Sequence, residues 1–291
     1  MRFADNRNKI GKYIPAVVFL IFIYGIALWF LFSPKTDYSS SEKRYLQKFP
    51  DANVEKVLSG EFGSEFETFF ADQFPQRNTW VGINAYTTLA EGNNGASGVY
   101  NCKNGCLINK PVSTENNLDK NIGAVADFAK SIGTPTTVML VPSTGYIADD
   151  VLPTFHDKYN DDEDISRISS TLSKNKIGFV DLRERFKSEY KNGSQLYYKT
   201  DHHWTTKGAY TGYQELCKAL GVTPIDDSTL KKDSYPDFYG TTYSSSGFWL
   251  TPPDNIEIWS NPNNSSKNIS VKITEGANIK TSGSMYFTDH L

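Results

Sequence analysis

The hydrophobic pattern divides the chain before any motif is considered. Residues Tyr13 to Pro34 carry no charge, and a helix rising 1.5 Å per residue over about 20 of them covers roughly 30 Å, the thickness of a bilayer core. A polar stretch, KTDYSSSEKRYLQKFP over 35–50, follows and reads as a stalk. From 51 to 92 apolar positions return at helical spacing, at Val54, Val57, Leu58, Phe62, Phe66, Phe69 and Phe70, until ADQFPQR breaks the pattern. Val99-Tyr100 and Leu107-Ile108 flank a short turn. Helix and strand then alternate. The pattern predicts a helix over about 114–131 capped by Ser113 or Thr114, a buried strand TTVMLVP, a helix near 164–175, a strand GFVDL and a helix to Tyr190. After a strand-like Leu196-Tyr197-Tyr198, a helix runs from Gly208 to Leu220, with Thr205 or Thr206 as cap and Gly221 as its stop. Such alternation predicts an α/β layer with a parallel sheet. Beyond 222 it fades into YPDFYGTTYSSSGFW, then strand-like NIEIW and ISVKIT.

Charge settles the direction of the first segment. Arg2, Arg7, Lys9 and Lys12 precede the apolar run against a single acid, Asp5. The positive-inside rule therefore places residues 1–12 in the cytoplasm as a tail, 13–34 across the membrane, and 51–291 outside as one domain. A cleaved signal peptide is the rival reading, but its apolar core would be shorter and end in a small-x-small site, whereas this span runs straight into SPKTDYSSSEKR. The net charge of -3 shows no basic surplus and argues against nucleic acid as a ligand. Cys102 and Cys106 stand either side of Lys103-Asn104-Gly105, a spacing that sets the thiols opposite each other across a hairpin. A disulfide and two part-buried thiols both remain open there, while Cys217 reads as a core residue.

The chain has 4 histidines and sets two of them together in YYKTDHHWTTK, residues 197–207. The stretch lies at a strand-to-helix junction, and in open α/β sheets ligands collect at the carboxyl ends of strands. In an extended segment Asp201 and His203 share one side. An aspartate and an imidazole so placed form an acid-base pair: the carboxylate orients the ring and stabilises its cation, and the other nitrogen takes a proton from a hydroxyl. His202 would face away in a structural role, and Trp204 would shield the pair or floor a sugar subsite. Two other readings stay open. Asp201, His202 and His203 could ligate a metal, although adjacent side chains diverge and no HExxH accompanies them; or the histidines could merely start a helix. Ser143, in VPSTG at another strand end, is a candidate for lining the cleft.

DHHWTTKGAY, with DQFPQR at 72–77, GVYNCKNGCLI at 98–108 and VMLVPSTGYIADDVLP at 138–153, resembles the bacterial DHHW protein family of membrane-anchored proteins. That family is similar in turn to the SGNH-hydrolase-like domains of alginate O-acetyltransferases. The resemblance implies an SGNH-like α/β domain in which Asp201 orients His203, and His203 serves a serine nucleophile. It implies O-acyl transfer to, or ester hydrolysis on, a cell-envelope polysaccharide, without metal or cofactor. An integral-membrane acyltransferase would be a partner. The family's serine sits in a later Asp-Ser-aromatic block. Asp233-Ser234-Tyr235 matches it superficially but reads as a loop, and Tyr243-Ser244-Ser245-Ser246-Gly247 is ambiguous. The expectation is that the domain is cut short before its nucleophile. The alternative is a non-catalytic envelope protein that binds glycan or protein.

Overall fold

Helix α1, Arg2–Phe32, contains a run, Gly11–Phe32, long and apolar enough to cross a membrane. Its last carbonyls are closed by polar side chains: Ser33 Oγ donates to Trp29 O at 2.7 Å and Lys35 Nζ to Phe30 O at 2.5 Å. The computed structural model describes residues 2–39, 42, 44–112, 117–262, 271–275 and 278–282. They form two compact units, Met1–Thr87 and Thr88–Leu291; the division falls inside the stretch expected as one domain.

In the first unit the expected stalk is folded. β1 (Tyr38–Ser39) pairs antiparallel with β2 (Arg44–Tyr45), and buried Asp72 receives Arg44 through both terminal guanidinium nitrogens, at 3.0 and 2.6 Å, and Gln47 N at 2.9 Å. A buried carboxylate needs such donors, and 35–50 supplies them. The helical stretch splits into α2 (Val54–Ser59), α3 (Glu61–Asp72) and α4 (Arg77–Ala90). Gly60, at φ 80, makes the first break.

The second unit opens with a three-stranded antiparallel sheet, β3 (Gly95–Ala96), β4 (Val99–Asn101) and β5 (Leu107–Asn109). Between β4 and β5 the chain turns through Asn104 and Gly105, at φ 59 and 69. Both flanking cysteines are free thiols; Cys102 N donates to Cys106 O at 2.9 Å, so pairing and turn close the hairpin. Burial pushes the Cys102 thiol up to about 12.

The α/β layer follows: α5 (Leu118–Ile132), β6 (Thr137–Leu140), α6 (Thr144–Ile147), α7 (Asp161–Lys174), β7 (Gly178–Asp181), α8 (Arg183–Lys191) and α9 (Thr206–Leu220). The expected cap at Ser113 or Thr114 lies outside the described residues. β6 and β7 run parallel, Thr137 opposite Gly178 and Leu140 opposite Asp181. Alternation along them feeds two cores. Val138 and Phe179 face Ile122, Ala126 and Leu172 of α5 and α7, while Met139 and Val180 face Ile147, Phe186 and Leu216 of α6, α8 and α9. The protein is therefore a mixed α/β chain with one apolar N-terminal helix and a parallel-sheet layer.

The segment expected as a loop after 230 is instead β8 (Lys231–Phe238), antiparallel to β9 (Asp254–Ser260), with α10 (Thr241–Ser246) between them. β10 (Val271–Glu275) and β11 (Asn278–Ser282) form a separate hairpin. Periodicity missed β8 because Lys231-Lys232-Asp233 and Pro236-Asp237 show no apolar alternation; its cross-strand partners supply the order.

Phe186 is fully buried between Tyr197 and Trp204, with ring centroids at 6.0 and 6.4 Å. Phe186→Ala should destabilise the protein by about 3–5 kcal/mol, the usual cost of an aromatic-sized cavity. Exposed Phe155→Ala should stay within about 0.5 kcal/mol. Urea midpoints of the detergent-solubilised chain measure both.

Candidate active site

The DHHW stretch is a tight loop closed at its base. Tyr197 and Trp204 form an antiparallel bridge, Tyr198 N donates to His203 O at 3.2 Å, and Thr205 N to Leu196 O at 2.8 Å. Thr205 caps α9, accepting from Gly208 N at 3.1 Å. Tyr197 OH donates to Pro142 O at 2.6 Å, which docks the loop on the chain leaving β6.

At the loop's tip Asp201 is buried, and both its oxygens are fully engaged. Oδ1 accepts His203 N at 2.9 Å and His203 Nδ1 at 2.5 Å. Oδ2 accepts Thr241 N at 2.6 Å and Thr241 Oγ1 at 3.0 Å. Burial raises the carboxyl's pKa, but the amides of Thr241 and His203 and the two side-chain donors outweigh it and bring the group down to about 2. Asp201 is thus ionised throughout the neutral range. It accepts the Nδ1–H of His203, on a side chain 64% exposed, and Nε2 is turned away from it.

A second buried carboxylate supports the loop from below. Asp254 Oδ2 accepts Thr200 N at 2.8 Å and Thr200 Oγ1 at 2.7 Å, and its Oδ1 accepts Gln195 Nε2 at 3.0 Å and Lys199 N at 3.1 Å. Thr200 Oγ1 also accepts Gly240 N at 3.1 Å. Gly240 touches Asp201 so closely that a Cβ there would overlap the Asp201 side chain. Sequence reasoning missed Gly240, Thr241 and Asp254. They come from the far β8–β9 region, and only the requirement that a buried carboxylate be satisfied could have called for them.

Two expectations change. His202 does not face away: the loop bends at 201–203, so the two imidazole centroids are 3.9 Å apart, and His202 Nδ1 lies 3.0 Å from Thr241 Oγ1. Trp204 is half-buried, with its ring packed on Phe186 and over Gly212, where a Cβ would come within 2.9 Å of it. The side chains of Asp201, His202 and His203 do not diverge either; their ligand atoms lie within 4.8 Å of one another. A cation there would have to displace donors from a carboxylate whose oxygens already take four hydrogen bonds.

The candidate serines have other partners. Ser143 lines a cleft of about 460 Å³ with His202, Thr144 and Asp161, but its N and Oγ donate to Asp161 at 2.6 and 2.7 Å. Ser244, Ser245 and Ser246 donate back to carbonyls of Gly240, Thr242 and Tyr243. Ser234 stands exposed on β8 opposite Glu257. Among the described residues no serine hydroxyl bonds to His203 Nε2.

A carboxyl brought from 3.8 to about 2 by folding adds about 2 kcal/mol of stability above its unfolded value, at 1.36 kcal/mol per unit. That contribution is lost as pH falls from about 4 towards 2. Asp201→Asn should therefore be less stable than the parent at pH 6, and the gap should close by about pH 2; urea titrations across that range test it. Gly240→Ala should give a similar loss at pH 6 by pushing the carboxylate off its donors.

Residues 108–237, somewhat under half of the chain, match a family model described as SGNH hydrolase-like domain, acetyltransferase AlgX. No curated protein matches the chain. Among solved structures it is similar to the O-acetyltransferase domain of Pseudomonas putida AlgJ, at 17% identity and TM-score 0.47 over 56% of this chain and 64% of that one. It is also similar to a DHHW family protein from Eubacterium siraeum, at 22% identity and TM-score 0.49 over 56% and 55%. Bacillus cereus PatB1 gives 18% identity and TM-score 0.46 over 62% and 64%. The chain spans less than two thirds of the length of each. The DHHW loop lies within the matched stretch, and residues 108–237 thus resemble the SGNH hydrolase-like domain of the AlgX type.

Proposed function

We propose that this chain is a membrane-anchored, extracytoplasmic SGNH-like protein of the O-acyltransferase or esterase class, acting on a cell-envelope polysaccharide. One observation carries the reading: Asp201, buried and ionised, holds His203 Nδ1–H at 2.5 Å and leaves Nε2 free in an exposed loop. His203 Nε2 would take the proton of a hydroxyl as its oxygen attacks an acyl carbonyl, with Asp201 stabilising the imidazolium. The same proton then passes to the departing alkoxide as the tetrahedral adduct collapses. Trp204 keeps the loop on its core, and Ser143 lines the neighbouring cleft. The chemistry calls for no metal or cofactor. The acetyltransferase family matched over 108–237 supports the class of reaction; the polysaccharide substrate and an integral acyltransferase as acyl source are proposed on the resemblance to the alginate O-acetyltransferases.

A glycan- or protein-binding role without turnover is the second reading. It is favoured by the absence, among the described residues, of a hydroxyl nucleophile bonded to His203.

Hydrolysis of 4-nitrophenyl acetate by a version carrying the Asp-Ser-aromatic block that the resemblance implies separates them. On the enzymatic reading His203→Ala abolishes turnover, and Asp201→Asn cuts it about ten-thousandfold, as loss of the orienting aspartate does in the best-studied serine triad. His202→Ala costs less, since it removes only the bond to Thr241, and a chelator changes nothing. Chelator sensitivity would move the assignment to a metal site. If that serine-bearing version stays inert yet retains glycan binding, the second reading is favoured.

The basic residues before the Gly11–Phe32 run support a cytoplasmic N-terminus and an external domain. Protease added to intact spheroplasts should then remove the residues after the span. Digestion only after lysis would reverse the topology.

A further inference from the structure

Helix α2 buries none of its residues. Its apolar positions Val54, Val57 and Leu58 recur at i, i+3 and i+4 on one face, and are 77%, 55% and 82% exposed. The stripe continues beyond Gly60 into α3. Phe62 stacks on Phe66 with centroids at 6.2 Å, and Phe66 and Phe70 stay about two-fifths exposed. Phe70 and Phe69 pack in turn on Phe30, at 4.7 and 5.9 Å, and Phe30 lies in the last turn of the apolar run that ends at Phe32. A continuous apolar stripe therefore leads from the end of the span to the outer face of α2. Contiguous exposure of that kind marks a binding surface.

We infer that α2 and α3 lie in the headgroup–acyl boundary of the leaflet into which the span emerges, with Val54, Val57, Leu58 and Phe66 inserted among lipids. Phe30 ties α3 to the depth at which the span leaves the bilayer, and amphipathic helices at that level bury their apolar face about 5–10 Å into the boundary. Charge selects the lipid. The segment carries Glu55, Glu61, Glu65, Glu67 and Asp72 against Lys56 alone, and Lys56 is held by Glu61 and Glu65 at 3.0 and 2.8 Å. The surface is thus suited to zwitterionic headgroups, with apolar burial as the driving force. The inference rests on Gly11–Phe32 crossing the membrane.

The full chain, reconstituted in phosphatidylcholine vesicles, tests it by photocrosslinking with p-benzoylphenylalanine placed singly at Ile21 in the span, Leu58 on α2, or Glu67 on the polar face of α3. Lipid adducts should form at Ile21 and Leu58 and be at least tenfold scarcer at Glu67. Adducts at Ile21 with none at Leu58 would overturn the surface while leaving the anchor intact. Protein dimers in place of lipid adducts at Leu58 would assign the face to a second copy and overturn it too. Absence of lipid adducts at Ile21 would remove the anchor, and the inference with it.

Discussion

An ionised carboxylate taken out of water must find donors for its lone pairs, and the architecture around Asp201 follows from that demand. Four donors meet it, from the His203 and Thr241 amides, the His203 ring and the Thr241 hydroxyl. Two belong to the loop itself, which has to bend so that residues two positions on can reach back. The other two come from the start of α10, which requires close approach of that helix and hence a glycine at 240. Leaving any of them unmade would cost about 1–3 kcal/mol or more, since the acceptor is charged.

The same logic repeats one layer down. Thr200 is fully buried and shares its hydroxyl between Asp254 and Gly240 N, so the segment holding the second pair of donors is fastened to the base of the DHHW loop. Tyr243 N donates to Thr200 O at 2.9 Å and fixes α10 to the same residue. Loop, α10 and the start of β9 form one connected polar network through the fully engaged carboxyls of Asp201 and Asp254, and such cross-linking stiffens the loop. Stiffness of that kind would suit the proposed proton transfer, whose reach is short.

Much of this was legible in the sequence, for local reasons. Asp201 and His203 are two positions apart, and Thr205 and Gly221 flank α9 as caps. The apolar run and the alternation through β6 and β7 are periodic signals, which need no tertiary information. What failed was directional or long-range. The opposite facing of His202 assumed an extended chain, and bonds across the 197–204 loop abolished that geometry. Trp204 packs against Gly212, eight residues on, where the missing side chain leaves room for its ring. Ser143 looked available until Asp161, eighteen residues later, took both its donors. The segment at 35–50 reads as a stalk by composition, yet Asp72 needs its arginine and gathers it in.

The two histidines are adjacent, but the network does not treat them alike. The hydroxyl of Thr241 has one proton and gives it to Asp201 Oδ2, so towards His202 it can only accept, and His202 must present Nδ1–H to it. Both rings therefore turn Nε2 away from the network. Only His203, however, meets the carboxylate directly, at 2.5 Å; His202 Nδ1 stands 3.7 Å from the same oxygen and reaches Asp201 through a neutral hydroxyl. A positive charge forming on His203 would be answered by an adjacent anion in a charge-assisted bond, whereas one on His202 would face a dipole first. In the proposed chemistry that difference assigns the proton-accepting role to His203. His202 holds the Thr241 hydroxyl pointed at Asp201.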